Sequence, residues 1–226
     1  MANPIVVRRV RSETEMAAWF EARREIFGDL ESSPHDEHDH DPIPGLDGTT
    51  RYYSAFTTGD AGEELEHVGI VRMMVGTAKQ VPSAKIVLPV DWITEGLYGE
   101  PSRFGVIRRL QRSRQSWRII LALVGGVMID ALSPDDPNEP VIDNLVHTLR
   151  EALWKPLSGF YPFHPGPDLI YYPPDAGGPA TEEPIIWAQS NPAEVVAASR
   201  LSIRSASKVP FDPTRCCADP MAQFGP

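Results

Sequence analysis

The spacing of apolar residues changes twice in the first thirty positions. Ile5 to Val10 is β-prone and weakly alternating, which predicts a short strand. Met16, Trp19, Phe20, Arg23 and Phe27 then fall at helical spacing. They predict a helix over Ser12 to Phe27, with Ser12 as N-cap, Glu15 at the capping-box position and Gly28 as the stop. Asp29 to Thr50 is polar and proline-bearing and reads as a loop. Strands are predicted over Arg51–Thr58 and His67–Val75, with a turn at Gly59–Gly62 between them. Shorter strands follow at Lys85–Leu88 and Ser102–Ile107. Trp117 to Leu132 predicts a strongly apolar helix, Val141–His147 a strand or helix start, and Leu149–Leu157 a helix. Ile185–Gln189 reads as a late strand and Pro192–Arg200 as a short helix. The order of elements predicts an α/β or α+β fold over residues 1–204, in one domain, with a disordered tail over 205–226.

Composition narrows the class. The 226 residues are 42% hydrophobic and 23% charged, enough apolar matter for a core. About half of the 23 prolines fall between Pro134 and Pro192, so that region should be rich in turns. The net charge of -10 argues against general nucleic-acid binding, which needs a cationic surface. Cys216 and Cys217 are adjacent and cannot staple distant segments. The first residues lack the apolar run of a signal peptide, and Ile119–Leu132 falls short of the roughly 20 residues that span a bilayer. A soluble cytoplasmic protein with no membrane span is the expectation. No GxGxxG, Walker or GxSxG motif is present, which sets aside dinucleotide oxidoreductases, P-loop NTPases and α/β-hydrolases.

Three stretches carry candidate chemistry. His35-Asp36-Glu37-His38-Asp39-His40-Asp41 is wholly ionisable. It reads as a solvated acidic loop, a loop for a cationic organic substrate, or a metal site, although consecutive ligands make a poor preformed cage. Glu100-Pro101-Ser102-Arg103-Phe104-Gly105-Val106 brings an acid, a base and an aromatic into one strand. The acid and base there either pair at a surface or orient a reacting group. From Arg103 to Arg118 there are six arginines, and no acid occurs from Pro101 to Ile129. In so acidic a chain this is either a solvated basic loop or a dock for a phosphate-bearing partner at a helix N-terminus.

In order and spacing these residues resemble the acyl-homoserine-lactone synthase (autoinducer synthase) family, a branch of the GNAT-like N-acyltransferases. The likeness runs through Arg23-Arg24-Glu25-Ile26-Phe27, Asp36-Glu37-His38-Asp39, Gly69-Ile70-Val71-Arg72 and the more specific Glu100-x-Ser-Arg-Phe element. A looser match, Leu145-Val146-His147-Thr148 with Leu153, Leu157 and Gly159, extends it to roughly residues 5–200. The family has a tryptophan near Ser33 and a glutamate at Pro34, which this chain lacks.

The resemblance implies a GNAT-like mixed sheet flanked by helices. It implies acyl transfer from an acyl carrier protein or acyl-CoA to the amine of S-adenosylmethionine, giving an N-acyl-homoserine lactone for quorum sensing. An amino acid or other amine as acceptor, and an inactive binding module, remain open. Neither a metal nor a cofactor is expected. Glu100 would be the catalytic base, held by Arg103. Arg23, Phe27, Asp36, Asp39, Arg72 and Phe104 would surround the amine substrate, and Phe27 and Phe104 read equally as core aromatics. Arg108, Arg109, Arg112 and Arg114 would dock the carrier or phosphate. A splayed strand near Val71–Val75 would supply N–H donors to the oxyanion. An acyl tunnel would draw on Ile119–Met128 with Val141, Ile142, Leu145 and Val146, residues that otherwise read as core.

Overall fold

The computed structural model describes residues 4–27, 50–58, 64–77, 80–81, 96–159, 161–170 and 185–197. The acid–histidine stretch, the Gly59–Gly62 turn, the Lys85–Leu88 strand and the tail lie outside these residues. The described chain runs β1 (Ile5–Arg9), α1 (Glu13–Phe27), β2 (Thr50–Thr58), β3 (Glu64–Thr77) and β4 (Leu97–Val106). It continues with α2 (Arg114–Leu132), β5 (Asn144–Arg150), α3 (Glu151–Ser158), β6 (His164–Ile170) and β7 (Ile185–Ser190). Seven strands form one mixed sheet in the order β1-β2-β3-β4-β5-β7-β6. Every neighbouring pair is antiparallel except β4 and β5.

Local chemistry sets the helix ends. The Ser12 N–H donates to Glu15 Oε2 at 3.0 Å, and the Glu15 N–H donates to Ser12 Oγ at 3.2 Å, the reciprocal capping box the sequence predicts. The Arg11 N–H, which donates to Glu15 Oε2 at 2.8 Å, together with the Ser12 N–H holds the Glu15 carboxyl below its usual range. Helix α1 lies on one face of the sheet, where Trp19 meets Tyr52 edge-on with ring centroids 4.9 Å apart. Helix α2 lies on the other face and buries Ile119, Leu123, Val127 and Met128. It comes so near β1 that a Cβ on Gly126 would sit 2.6 Å from Val7 Cγ1.

Some boundaries move. Strand β4 starts at Leu97, not Ser102, because the long β3 offers partners back to the Thr77–Leu97 pair. Helix α2 starts at Arg114, not Trp117, because Ser113 caps it and accepts from the Ser116 N–H. The apolar window is thereby 18 residues, Gln115–Leu132, long enough by length and composition to cross a membrane. In this fold it is the central core helix. The ambiguous Val141–His147 stretch becomes a strand from Asn144. Strand β6 was not anticipated, since Pro165 and Pro167 break its pattern; its place at the sheet edge tolerates them.

Asp130 sits inside the apolar helix and is 1% exposed. It is held from three sides. Arg9 Nη1 reaches both carboxylate oxygens at 3.0 Å, Arg51 Nη1 donates at 2.9 Å and the Tyr53 hydroxyl at 2.6 Å. Arg9 also forks onto Glu139 at 2.8 and 3.0 Å. Two guanidinium groups thus face two carboxylates, tying the end of α2 to β1 and β2. Burial tends to raise the Glu139 pKa, but the Arg9 hydrogen bond and the charges of Arg9, Arg51 and Arg11 prevail and hold it low. Burial, with Asp130 beside it, pushes the Tyr53 hydroxyl up.

Candidate active site

The alternation of a strand places Glu100. Its cross-strand partner is Met74, two residues along β3 from Arg72, and Arg72 pairs with both Ser102 and Tyr52. Tyr52 packs on α1, so Tyr98, Glu100, Ser102 and Arg72 share the α1 face. Arg72 Nε donates to Ser102 Oγ at 3.2 Å. Glu100 is 5% exposed.

Strands β4 and β5 run parallel but pair at only two positions, Tyr98–Asn144 and Gly99–Leu145. From Glu100 and Val146 onward the two strands part, and no pairing joins them among the described residues. The result is a V-shaped split, closed at Gly99 and open toward Val106. Beyond Gly99–Leu145 the facing edges of β4 and β5 are not joined by strand pairing. The Val71–Val75 strand, expected to offer oxyanion donors, is thus not one of the two diverging strands. Arg72 to Met74 have strand partners on both sides, and the open edges belong to β4 and β5.

The closed end is braced on both faces. On the α2 face a Cβ on Gly99 would sit 2.5 Å from Leu145 Cδ2 and 2.8 Å from Met73 Sδ, so a side chain there would push both aside. On the α1 face Gln189 of β7 spans three strands. Its Nε2 donates to Asn144 Oδ1 at 3.1 Å and to the Tyr98 hydroxyl at 3.4 Å. Opposite Ser102–Gly105 the β3–β4 register shifts, and Arg103 adopts a left-handed φ of 56°. A bulge thus follows Glu100 along the rim, with the Arg103 side chain exposed.

The open end meets the basic segment. A 3-10 turn, Arg108–Leu110, leads through Arg112, also left-handed at φ 63°, to Ser113 and α2. The first N–H groups of a helix point outward and favour anions. Arg108, Arg109 and Arg112 are exposed around this end, and Arg114 is the first residue of α2. Arg109 forms an ion pair with Glu66.

The remaining predicted residues divide. Arg23 is buried in α1, while Phe27 and Phe104 are half-buried against the core. Asp36 and Asp39 lie outside the described residues. Of the expected tunnel residues, Ile119, Ala122, Leu123, Val124, Val127, Met128, Ile142, Leu145 and Val146 are buried, but Val141 is 51% exposed. Sequence reasoning missed Gln189, Asn144 and Tyr98. It also missed a buried pair on the far face, His147 Nε2 and Ser190 Oγ, 2.8 Å apart. Burial pushes the His147 pKa down to about 3.

No family model matches the chain, and no curated protein matches its sequence. Solved structures do. FeeM, an N-acyl amino acid synthase from uncultured soil microbes, aligns with a TM-score of 0.58 at 15% identity, over 88% of this chain and 97% of that one. The CoA-dependent acyl-homoserine lactone synthase BjaI gives 0.49 at 15% identity, over 92% and 90%. NAA60 of Arabidopsis thaliana gives 0.46 at 16% identity, over 83% and 99%. The mixed seven-stranded sheet with its flanking helices is a GNAT-like α/β fold.

Proposed function

We propose that this chain transfers an acyl group from an acyl thioester to the amine of an α-amino-acid moiety, at the closed end of the β4–β5 split. The observation that carries the reading is the buried Glu100 where the two parallel strands part. An α-ammonium group is largely protonated near neutral pH, so attack needs a base. Glu100 takes a proton from the amine, directly or through water. The amine nitrogen bonds to the thioester carbon, and the C–S bond then breaks as the thiolate leaves and gains a proton. The tetrahedral oxyanion is held by backbone N–H groups on the open strand edges. Arg72, on the same face, pairs with the α-carboxylate of the amine substrate.

The thioester enters from the wide end. The N-terminus of α2, with Arg108, Arg109, Arg112 and Arg114, receives the phosphate of coenzyme A or of a carrier protein's phosphopantetheine arm. A local cationic patch also brings an acidic carrier to a chain of net charge -10.

The acceptor in this reading is S-adenosylmethionine, as the Glu100-x-Ser-Arg-Phe resemblance implies; after acylation its carboxylate oxygen bonds to the γ-carbon, the bond from that carbon to the sulfonium sulfur breaks, and methylthioadenosine leaves, giving an N-acyl-homoserine lactone. A free amino acid is the second reading, favoured by the likeness to the N-acyl amino acid synthase FeeM. Both acceptors offer Glu100 and Arg72 the same ammonium and carboxylate. Product mass spectrometry tests them: purified protein, a panel of acyl-CoA and acyl-carrier thioesters, and either S-adenosylmethionine or the amino acids, with Glu100→Ala alongside. An acyl-homoserine lactone that needs intact Glu100 supports the first reading, and N-acyl amino acids support the second. No acylated product from folded protein overturns both.

A further inference from the structure

A V-shaped opening in a sheet needs something to set where it begins. Strand pairing is cooperative, and two paired positions are a weak anchor for the parallel strands β4 and β5. Gln189 supplies side-chain support at that point. It extends from β7, two strands from β4, and its Nε2 donates to Asn144 of β5 and Tyr98 of β4. Tyr98 and Asn144 are themselves the first of the two paired positions. The three side chains lie on the face that carries Glu100, and Tyr98 precedes Glu100 by two residues along one strand. The Cα atoms of Tyr98 and Glu100 are therefore about 7 Å apart. On the other face the Gly99–Leu145 approach closes the same point.

We propose that Gln189 is a positioning residue: its carboxamide latches β4 to β5 at Tyr98–Asn144, fixes where the split starts, and so sets the place of Glu100 against the substrate. This rests on the acyl-transfer reading for its kinetic consequence, though not for its structural one. Misplacing a reacting group by about 1 Å costs on the order of a hundredfold in rate. Releasing the latch should therefore act on turnover far more than on global stability.

The test compares the full chain with Gln189→Leu, which removes the donor, and Gln189→Glu, which keeps the length and accepts a hydrogen bond from the Tyr98 hydroxyl and the Asn144 amide. Two readouts are taken. Amide hydrogen exchange is followed at Tyr98–Gly99 and Asn144–Leu145. Turnover is followed with the thioester and amine that give product, as kcat and KM separately and as a pH profile.

In Gln189→Leu the amides at the closed end should lose protection. Its kcat should fall about tenfold to a hundredfold with a smaller change in KM for the amine, and the acidic limb of the profile should shift. Gln189→Glu should restore most of both. Exchange and turnover unchanged in Gln189→Leu would overturn the proposal, as would a loss of turnover that Gln189→Glu fails to restore while exchange stays native. If Gln189→Leu does not fold, Tyr98→Phe and Asn144→Ala each remove one partner of the latch and are read by the same criteria. If the parent makes no product with any thioester, the acyl-transfer reading falls, and exchange alone decides whether the latch exists.

Discussion

Two polar clusters, one at an edge of the sheet and one at its middle, are built on different plans. At the β1–β2 end, Asp130 and Glu139 are enclosed by Arg9, Arg51 and Tyr53, with each charge answered by an opposite one within about 3 Å. At the β4–β5 junction, Glu100 is as deeply enclosed, but it stands where two strands stop pairing. The first cluster is tied together by its own hydrogen bonds and ion pairs. The second borders open backbone edges and a basic helix terminus. Burial of an acid does not by itself mark a candidate site; what sets Glu100 apart is its place beside the break in strand pairing.

Substitutions sharpen that contrast. Glu100→Gln should lower turnover about a hundredfold to ten-thousandfold and leave the melting temperature within a few degrees of the parent, if Glu100 is the base. Asp130→Ala should do the reverse. Two guanidinium groups lose their partner, and denaturant titration should show a loss of about 3–5 kcal/mol, with the activity per folded molecule retained. Should Glu100→Gln destabilise the fold as much as Asp130→Ala does, the two clusters are of one kind and the contrast fails.

Acid separates the regions next. Folded His147 stays neutral down to about pH 3, while in the unfolded chain it takes up a proton near pH 6.5. The unfolded state therefore binds the proton first, so the His147 contribution is full above about pH 6.5 and is lost as the pH falls toward 3. The loss is on the order of 5 kcal/mol in total. Glu139 adds a second loss that begins near the usual carboxylate pKa of about 4.5 and continues below it, because its folded pKa is depressed. Unfolding measured from pH 7 to pH 3 should slope from the start in the parent and only at the acid end in His147→Gln. The smallest effect belongs to the surface. Changing Arg108 and Arg109 together to alanine should raise KM for the thioester about tenfold or less, more at low salt than at high, and leave stability unchanged. An unaltered KM would remove the basic turn from the docking site.

Much of this was legible in the chain. The Ser12–Glu15 box, the α2 core helix and the placing of Glu100 in a strand all follow from local pattern or from a short motif. What escaped the sequence depends on partners far away in it. Asp130 reads as an interruption of an apolar run until Arg9, 121 residues earlier, arrives beside it. Gln189 is an ordinary strand glutamine until the parallel β4–β5 pair brings Tyr98 within reach, 91 residues away. That β3 is paired on both edges over Arg72–Met74, while β4 and β5 diverge, is a property of the sheet and not of any local pattern. Strand β6 was invisible for the opposite reason: its prolines argue locally against a strand, and only its edge position permits them.

The narrow junction between β4 and β5 also bears on how the molecule comes apart. It divides the sheet into an antiparallel group of four strands, β1 to β4, and a group of three, β5 to β7, joined by two paired positions. If the joint is the weakest seam of the sheet, the two groups should open from one another at a lower free energy than either needs to melt. An extended molecule seated between the diverging edges would bond to both groups at once and act as a temporary strand. Its binding would then appear as coupled melting, the two groups unfolding together when it is present and in sequence when it is not.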